Sequence, residues 1–183
     1  MTAQVRHQAT FTPPSGIDLL HLEPGIHMYC AHRNVTLGVW AGQATLPALA
    51  GVAEVSREMV RRFPEGHSSV LFVLDKIPPP SAEVSHHISR AFNERSGLSC
   101  VSVIIEGTGF WGSGMRSMLT NARRNAAGSS LLRLHNTIEE AVSWLLEPHQ
   151  LRTGVTLDAK QLVEAVRWVR EQGAAHVLNA ARS

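Results

Sequence analysis

The one string in this chain with the spacing of a chemical motif is Gly107-Thr108-Gly109-Phe110-Trp111-Gly112. Glycines placed so, between a strand and a helix, let backbone N–H groups approach a phosphate at the helix N-terminus. Its surroundings argue against a dinucleotide. The acid that should hold a ribose about 20 residues further on is missing from SLLRLHN. The motif follows a late strand, and Phe110 and Trp111 are bulky where phosphate would pass. No cofactor is therefore expected. A glycine-rich loop with two aromatics at the carboxyl end of a sheet remains a good interaction surface. Gly107, Gly109, Phe110 and Trp111 are candidate ligand- or partner-binding residues. Arg116 follows them and, with Arg123 and Arg124, could add an anion site; a solvated helix face is the plainer reading.

Other chemistry has weaker spacing. The ten histidines do not form a metal pattern. His86 and His87 are adjacent on a helix and point apart, and neither HExxH nor CxxC occurs. No metal is expected. Ser113 stands in Gly112-Ser113-Gly114, which is not a nucleophile elbow. No catalytic residue is expected. Asp75, at the end of an apolar run, is a candidate for ligand or partner binding, with a capping role for the next loop as the alternative. Cys30 and Cys100 both lie in apolar runs, which suits reduced thiols better than a disulfide.

The composition narrows the partners. Seventeen Lys and Arg against fifteen Asp and Glu give a net charge of +2. That is no electrostatic footprint for nucleic acid or an anionic membrane. With 44% hydrophobic and 17% charged residues in 183, the chain reads as one globular domain with a short extension. A chain of this length buries roughly 70% of its unfolded surface, so it needs no staple. No run reaches the ~20 apolar residues of a membrane span. MTAQVRHQATFTPP lacks the apolar core of a signal peptide. The expected location is cytoplasmic.

The elements that must position these residues follow from periodicity. Residues 17–22, 26–32 and 35–40 alternate with period two and are separated by Pro24-Gly25 and Arg33-Asn34, which predicts an antiparallel start. From Thr45, a plausible N-cap, apolar residues recur at helical spacing to Phe63. SVLFVLD (69–75) and CVSVII (100–105) run mainly apolar without period-two alternation, which predicts strands buried on both faces. Helical stripes lie between and after them: Val84 to Phe92, Met115 to Ala122, and a helix opened by Thr137 and Glu140 as a capping box and ended by Pro148. SLLRL (130–134) supplies another strand. The order is β-β-β-α-β-α-β-α-β-α. It predicts an α/β fold with a mixed, mainly parallel sheet, antiparallel N-terminal strands and packed helices. Residues 1–16 read as a lead-in, 17–148 as the domain and 149–183 as a connector with an amphipathic helix over 158–172. Leu162, Val163, Val166 and Val169 share one face of that helix, for docking on the chain's own sheet or for a homodimer contact.

Four stretches in order carry a family resemblance: VTLGVWAGQATLPALAGV, SSVLFVLDKI, CVSVIIEG and LHNTIEEAVSWL. From Val35 to Leu146 the chain resembles the STAS domain, the fold of anti-sigma-factor antagonists and of the cytoplasmic tails of sulfate transporters. The resemblance implies a STAS-like fold and a non-catalytic regulatory or scaffolding module that binds a protein partner or a small ligand. In that family the loop after the Asp-ending strand carries Asp-Ser-Ser-Gly, with a serine phosphorylated at a helix N-terminus. Here the loop reads Lys76-Ile77-Pro78-Pro79-Pro80-Ser81-Ala82-Glu83. Ser81 takes the corresponding place, without the Asp and Gly neighbours, and is the candidate phosphorylation and binding residue. The alternative reading is a small phosphate- or nucleotide-binding enzyme using Gly107–Gly114.

One outcome follows from the apolar runs alone. Val103→Asp places an unpaired carboxylate in a strand with no polar face, at a cost of several kcal/mol, comparable with a domain's whole stability. The variant is expected to lose its native circular dichroism and its cooperative melt.

Overall fold

A computed structural model describes residues 13–75, 77–94, 97–106, 110–125 and 131–180. Six strands form one sheet in sequential order: β1 (Asp18–Glu23), β2 (His27–His32), β3 (Val35–Trp40), β4 (His67–Val73), β5 (Leu98–Ile105) and β6 (Leu131–His135). β1, β2 and β3 pair antiparallel, and β3 to β6 pair parallel. This is the α/β mixed sheet that the order of elements predicts.

Sequential order has a consequence for the helices. Every crossover from β3 to β6 steps in the same direction, and right-handed crossovers then put all the connecting helices on one face. These are α1 (Leu46–Arg62), α2 (Ala82–Glu94) and α3 (Phe110–Asn125). Tyr29, Trp40, Val73, Val101 and Val103 from the strands form one core with Val52, Val55 and Met59 of α1 and Met115 and Leu119 of α3. The other residues of the same strands, among them Met28, Leu37, Val39, Val70, Phe72, Cys100 and Ile104, face the opposite side. That face is covered by α4 (Ile138–Thr153), α5 (Ala159–Trp168) and α6 (Ala174–Ala180), the last two joined by one π-helical turn over Val169–Gly173.

The C-terminal helix is therefore part of the core. Leu162, Val166, Val169 and Val177 are buried in the second-face cluster, while Val163 is half-buried. The face read as a candidate dimer contact is spent on the chain's own sheet. Gly173 shows how closely it docks, since a Cβ there would lie 2.3 Å from Met28 Cε and 3.2 Å from Val39 Cγ1. Arg170 adds a two-pronged bond to the Glu106 carboxylate, at 2.6 and 2.9 Å. The Gly25 N–H donates to the Val177 carbonyl at 3.0 Å.

Two expectations need correction. Pro148 does not end α4; it lies inside it, and the helix runs to Thr153 with Gly154 closing it at φ 71°. A division of the chain at 148 cuts through this helix. A proline inside a helix costs about 3 kcal/mol. Tertiary bonds just beyond it offset that cost. Ser68 Oγ lies 2.7 Å from His149 Nδ1, and Arg152 donates to the Ser99 carbonyl at 2.7 Å. The second correction concerns β4. β5 is buried along its whole length, but in β4 Ser69 and Leu71 are only half-buried. Both lie on the face of α1 to α3, where the helices leave a gap. A smaller departure is at Thr137, which caps the Glu140 N–H as expected, while the Glu140 carboxylate accepts from the Asn136 N–H, one residue ahead of the cap.

Removing residues 155–183 bares Met28 and Val39, against which Gly173 packs. The truncated chain is expected to aggregate or to lose cooperative unfolding in calorimetry. A soluble truncated chain that melts like the full one would overturn the two-faced core.

Candidate ligand-binding cleft

The half-buried residues of β4 floor a cavity of about 510 Å³ between the sheet and the helices α1, α2 and α3. The site is built from the way α1 seats. Thr45 Oγ1 accepts the Ala48 N–H at 3.3 Å and Pro47 sits in the first turn, so the helix starts at the carboxyl edge of the sheet. Gly51 then presses onto the His21 ring of β1; a Cβ at this position would fall 2.4 Å from His21 Nε2. That contact places α1 over β1, at the antiparallel end of the sheet. α2 begins at Ser81, whose Oγ accepts the Val84 N–H at 3.2 Å, and packs beside α3. The floor between α1 and α2 is left to Thr36, Ser69, Leu71 and Val73.

The lining is graded along its length. Register pairs Thr36 with Ser69 and Gly38 with Leu71 on the parallel strands β3 and β4. The two hydroxyls lie side by side near the amino ends of the strands, and neither has a hydrogen-bond partner among the described residues. His67, Ser56 and Arg57 line the cavity near the same end, the last two from the C-terminal half of α1. Toward the carboxyl end the walls are Trp40, Leu49, Val52, Val73, Ile77 and Met115. Gly38 makes room for this wall, since a Cβ would fall 2.5 Å from Tyr29 Cε1 and 2.9 Å from Leu71 Cδ1.

Magnitude decides what such a space does. If it were sealed and dry, roughly 24 cal/mol per Å³ of void over about 510 Å³ comes to ~12 kcal/mol, the whole stability of a domain. The cavity opens between α1 and α2, with Arg57 and Pro78 exposed among its lining. Water relieves it, and an apolar ligand that displaces that water recovers the burial. The volume lies in the usual range of small-molecule sites.

Beside the cleft, His27 is fully buried in a ring cage of His21, Tyr29 and Trp40, with centroids 4.7 to 5.2 Å apart. Trp40 Nε1 donates to Tyr29 Oη at 2.6 Å. Neither His27 nitrogen has a hydrogen-bond partner among the described residues. Burial, helped by the nearby His21, lowers its pKa from 6.5 to about 4. On the opposite face of the sheet, Ser68 Oγ lies between His149 Nδ1 and Cys100 Sγ, at 2.7 and 3.1 Å. A hydroxyl on an imidazole resembles a nucleophile and its base, but both residues are fully buried. Burial lowers His149 to about 4 and raises the Cys100 thiol to about 11. The Cys30 thiol is pushed up to about 12 by burial. Both cysteines are free, buried and therefore unreactive.

The residues singled out from sequence lie outside this cleft. Asp75 is exposed in the turn after β4, Ser81 is the exposed cap of α2, and Arg116 donates to the Ile105 carbonyl at 3.2 Å. All three stand at the carboxyl edge of the parallel strands. Gly107 and Gly109 lie outside the described residues, as do the side chains of Phe110, Trp111, Arg123 and Arg124. Among the described residues no cluster of three or more metal-ligating side chains occurs, and no helix is long and apolar enough to cross a membrane. The cleft itself was missed. Its signal was Ser69, a polar residue facing the core side of a central strand. Comparison with family models, curated proteins and solved structures found no match to this chain.

His27 and His149 set an acid limit. Above pH 6.5 both are neutral, folded or unfolded. Between 6.5 and about 4 the unfolded chain takes up protons that the folded chain refuses, so stability falls as pH falls, by roughly 3 kcal/mol for each histidine. The urea midpoint is expected to drop steeply from pH 6.5 to 4.5. A midpoint independent of pH over that range would contradict the buried, neutral histidines.

Proposed function

We propose that this chain is a non-catalytic, cytosolic regulatory module of STAS-like architecture whose state is set by a small, largely apolar ligand held between α1, α2 and the sheet. The observation that carries the reading is the cleft, floored by half-buried residues of a central strand that has neighbours on both sides. The mixed sheet, antiparallel at its start and parallel after, is the arrangement that the order of the elements predicts, and the STAS-like reading builds on it. The hydroxyl and imidazole closest to a catalytic pairing, Ser68 and His149, are fully buried on the other face, which supports a binding role over catalysis.

The same architecture gives the ligand a route to a protein partner. α2 is one wall of the cleft and carries Ser81 at its cap, beside Asp75 and the Pro78–Pro80 run. A ligand that sets the distance between α1 and α2 moves this edge. Ser81 and Asp75 are the residues through which a partner reads that movement, and a phosphate on Ser81 would sit at the N-terminus of a 13-residue helix, where negative charge is stabilised.

The reading is tested with a neutral apolar fluorophore such as Nile red. It is expected to bind with enhanced emission and to raise the melting temperature in proportion to its occupancy. Ala53→Phe and Leu71→Phe, which fill the cleft from roof and floor, are expected to abolish binding while keeping or raising the melting temperature of the free protein. Binding that survives both variants places the ligand elsewhere and overturns the proposal.

A further inference from the structure

The charge of the cleft says more about its occupant than its size does. Among the described residues that line it there is an arginine, Arg57, and there are two histidines, His67 and His87, but no aspartate or glutamate. Arg57 makes no ion pair among the described residues. The carboxylates beside it on α1 do not compete for it. Glu58 is held by Arg61 and Arg62 at 2.7 and 2.6 Å, and neither Glu54 nor Glu58 lines the cleft. An arginine left unpaired at the rim of an apolar space is a ready partner for an anion.

The position of Arg57 fixes an orientation. It stands on the last two turns of α1, near the amino ends of β3 and β4, where Thr36 and Ser69 offer two hydroxyls without partners. From there to Val73 is four residues of strand, about 13 Å at ~3.3 Å per residue, and the walls along that path are aliphatic or aromatic. The space is therefore polar and cationic at one end and apolar over the rest.

We infer that the cleft takes a linear monocarboxylate amphiphile of medium chain length, its carboxylate at Arg57 and the Thr36–Ser69 hydroxyls and its alkyl tail running under α1 toward Val73 and Met115. This rests on the ligand-binding reading of the cleft and adds to it a charge, a shape and a direction. A carboxylate is held at Arg57 by a charge-assisted hydrogen bond. An ammonium in the same place meets a like charge and no compensating acid. A second copy of the chain or a peptide strand is a poorer occupant, because β4 already has strand neighbours on both sides and offers no free backbone edge.

The test compares three ligands of equal length on the full chain: decanoate, decanol and decylamine, each kept below its micelle concentration or solubility limit, titrated by calorimetry and by intrinsic tryptophan emission. Decanoate is expected to bind tightest and decylamine weakest. Arg57→Gln is expected to weaken decanoate by about tenfold, the worth of one hydrogen bond to a charged group, and to leave decanol unchanged. Arg57 is exposed, so this variant keeps the fold. Leu71→Phe should remove binding of all three. If decanol and decylamine bind as well as decanoate and all three are lost in Leu71→Phe, the cleft stands as a ligand site but its anion preference is refuted. If none of the three binds while Nile red still does, the amphiphile is refuted and the ligand is of another shape. If neither they nor Nile red bind, the ligand-binding reading fails with it.

Discussion

The sequential order of the six strands is the constraint on which the rest of this structure depends. A sheet whose parallel strands follow one another in chain order sends each right-handed crossover to the same side. Three helices then crowd one face, and the other receives none from the crossovers. An uncovered sheet face of Met28, Leu37, Val39, Val70, Phe72 and Ile104 cannot remain in water. The chain must continue after β6 far enough to cover it. α4 covers the parallel end and α5 to α6 the antiparallel end, and the π-helical turn brings Gly173 against Met28. The long C-terminal tail of helices is thus a requirement of the strand order.

The two faces are fastened differently. The second face is pinned by polar bonds: Ser68 to His149, Ser102 to the Ala141 carbonyl at 3.0 Å, Arg152 to the Ser99 carbonyl. Each bond satisfies a group that is costly to bury alone, and together they fix the angle of α4 against β4 and β5. On the first face the described helix-to-strand bonds include Arg62 of α1 to the Asp18 carboxylate of β1 at 3.0 Å and Arg116 of α3 to the Ile105 carbonyl at 3.2 Å, and α1 is also seated by shape, through Gly51 on the His21 ring.

Much of this was legible in the residues, and the failures have a common cause. Period-two alternation and the mainly apolar runs at 69–75 and 100–105 are local properties, and the strands they predict exist within two residues of where they were expected. The caps at Thr45 and Thr137 are equally local. What the pattern could not show depends on partners distant in sequence. Pro148 stays in its helix because His149 and Arg152 are bonded to strands about eighty and fifty residues earlier, respectively. Ser69 and Leu71 are half-buried because they floor the space between α1 and α2, and those helices are distant in sequence. The site residues chosen from motifs, Asp75, Ser81 and Arg116, come together only as members of one sheet edge, while the cleft is lined by residues that carry no motif.

A cavity in a protein core is usually a defect, and the sequence had cheap ways to remove this one. A larger residue at Ala53 or at Ser69 would take up volume at little cost in helix or strand propensity. Exchanging Ser69 for valine would also remove a hydroxyl that has no partner. Both faces of β4 carry a serine, and the two are treated differently. Ser68, facing the second core, lies 2.7 Å from His149 Nδ1, whereas Ser69, facing the space, has no side-chain partner among the described residues.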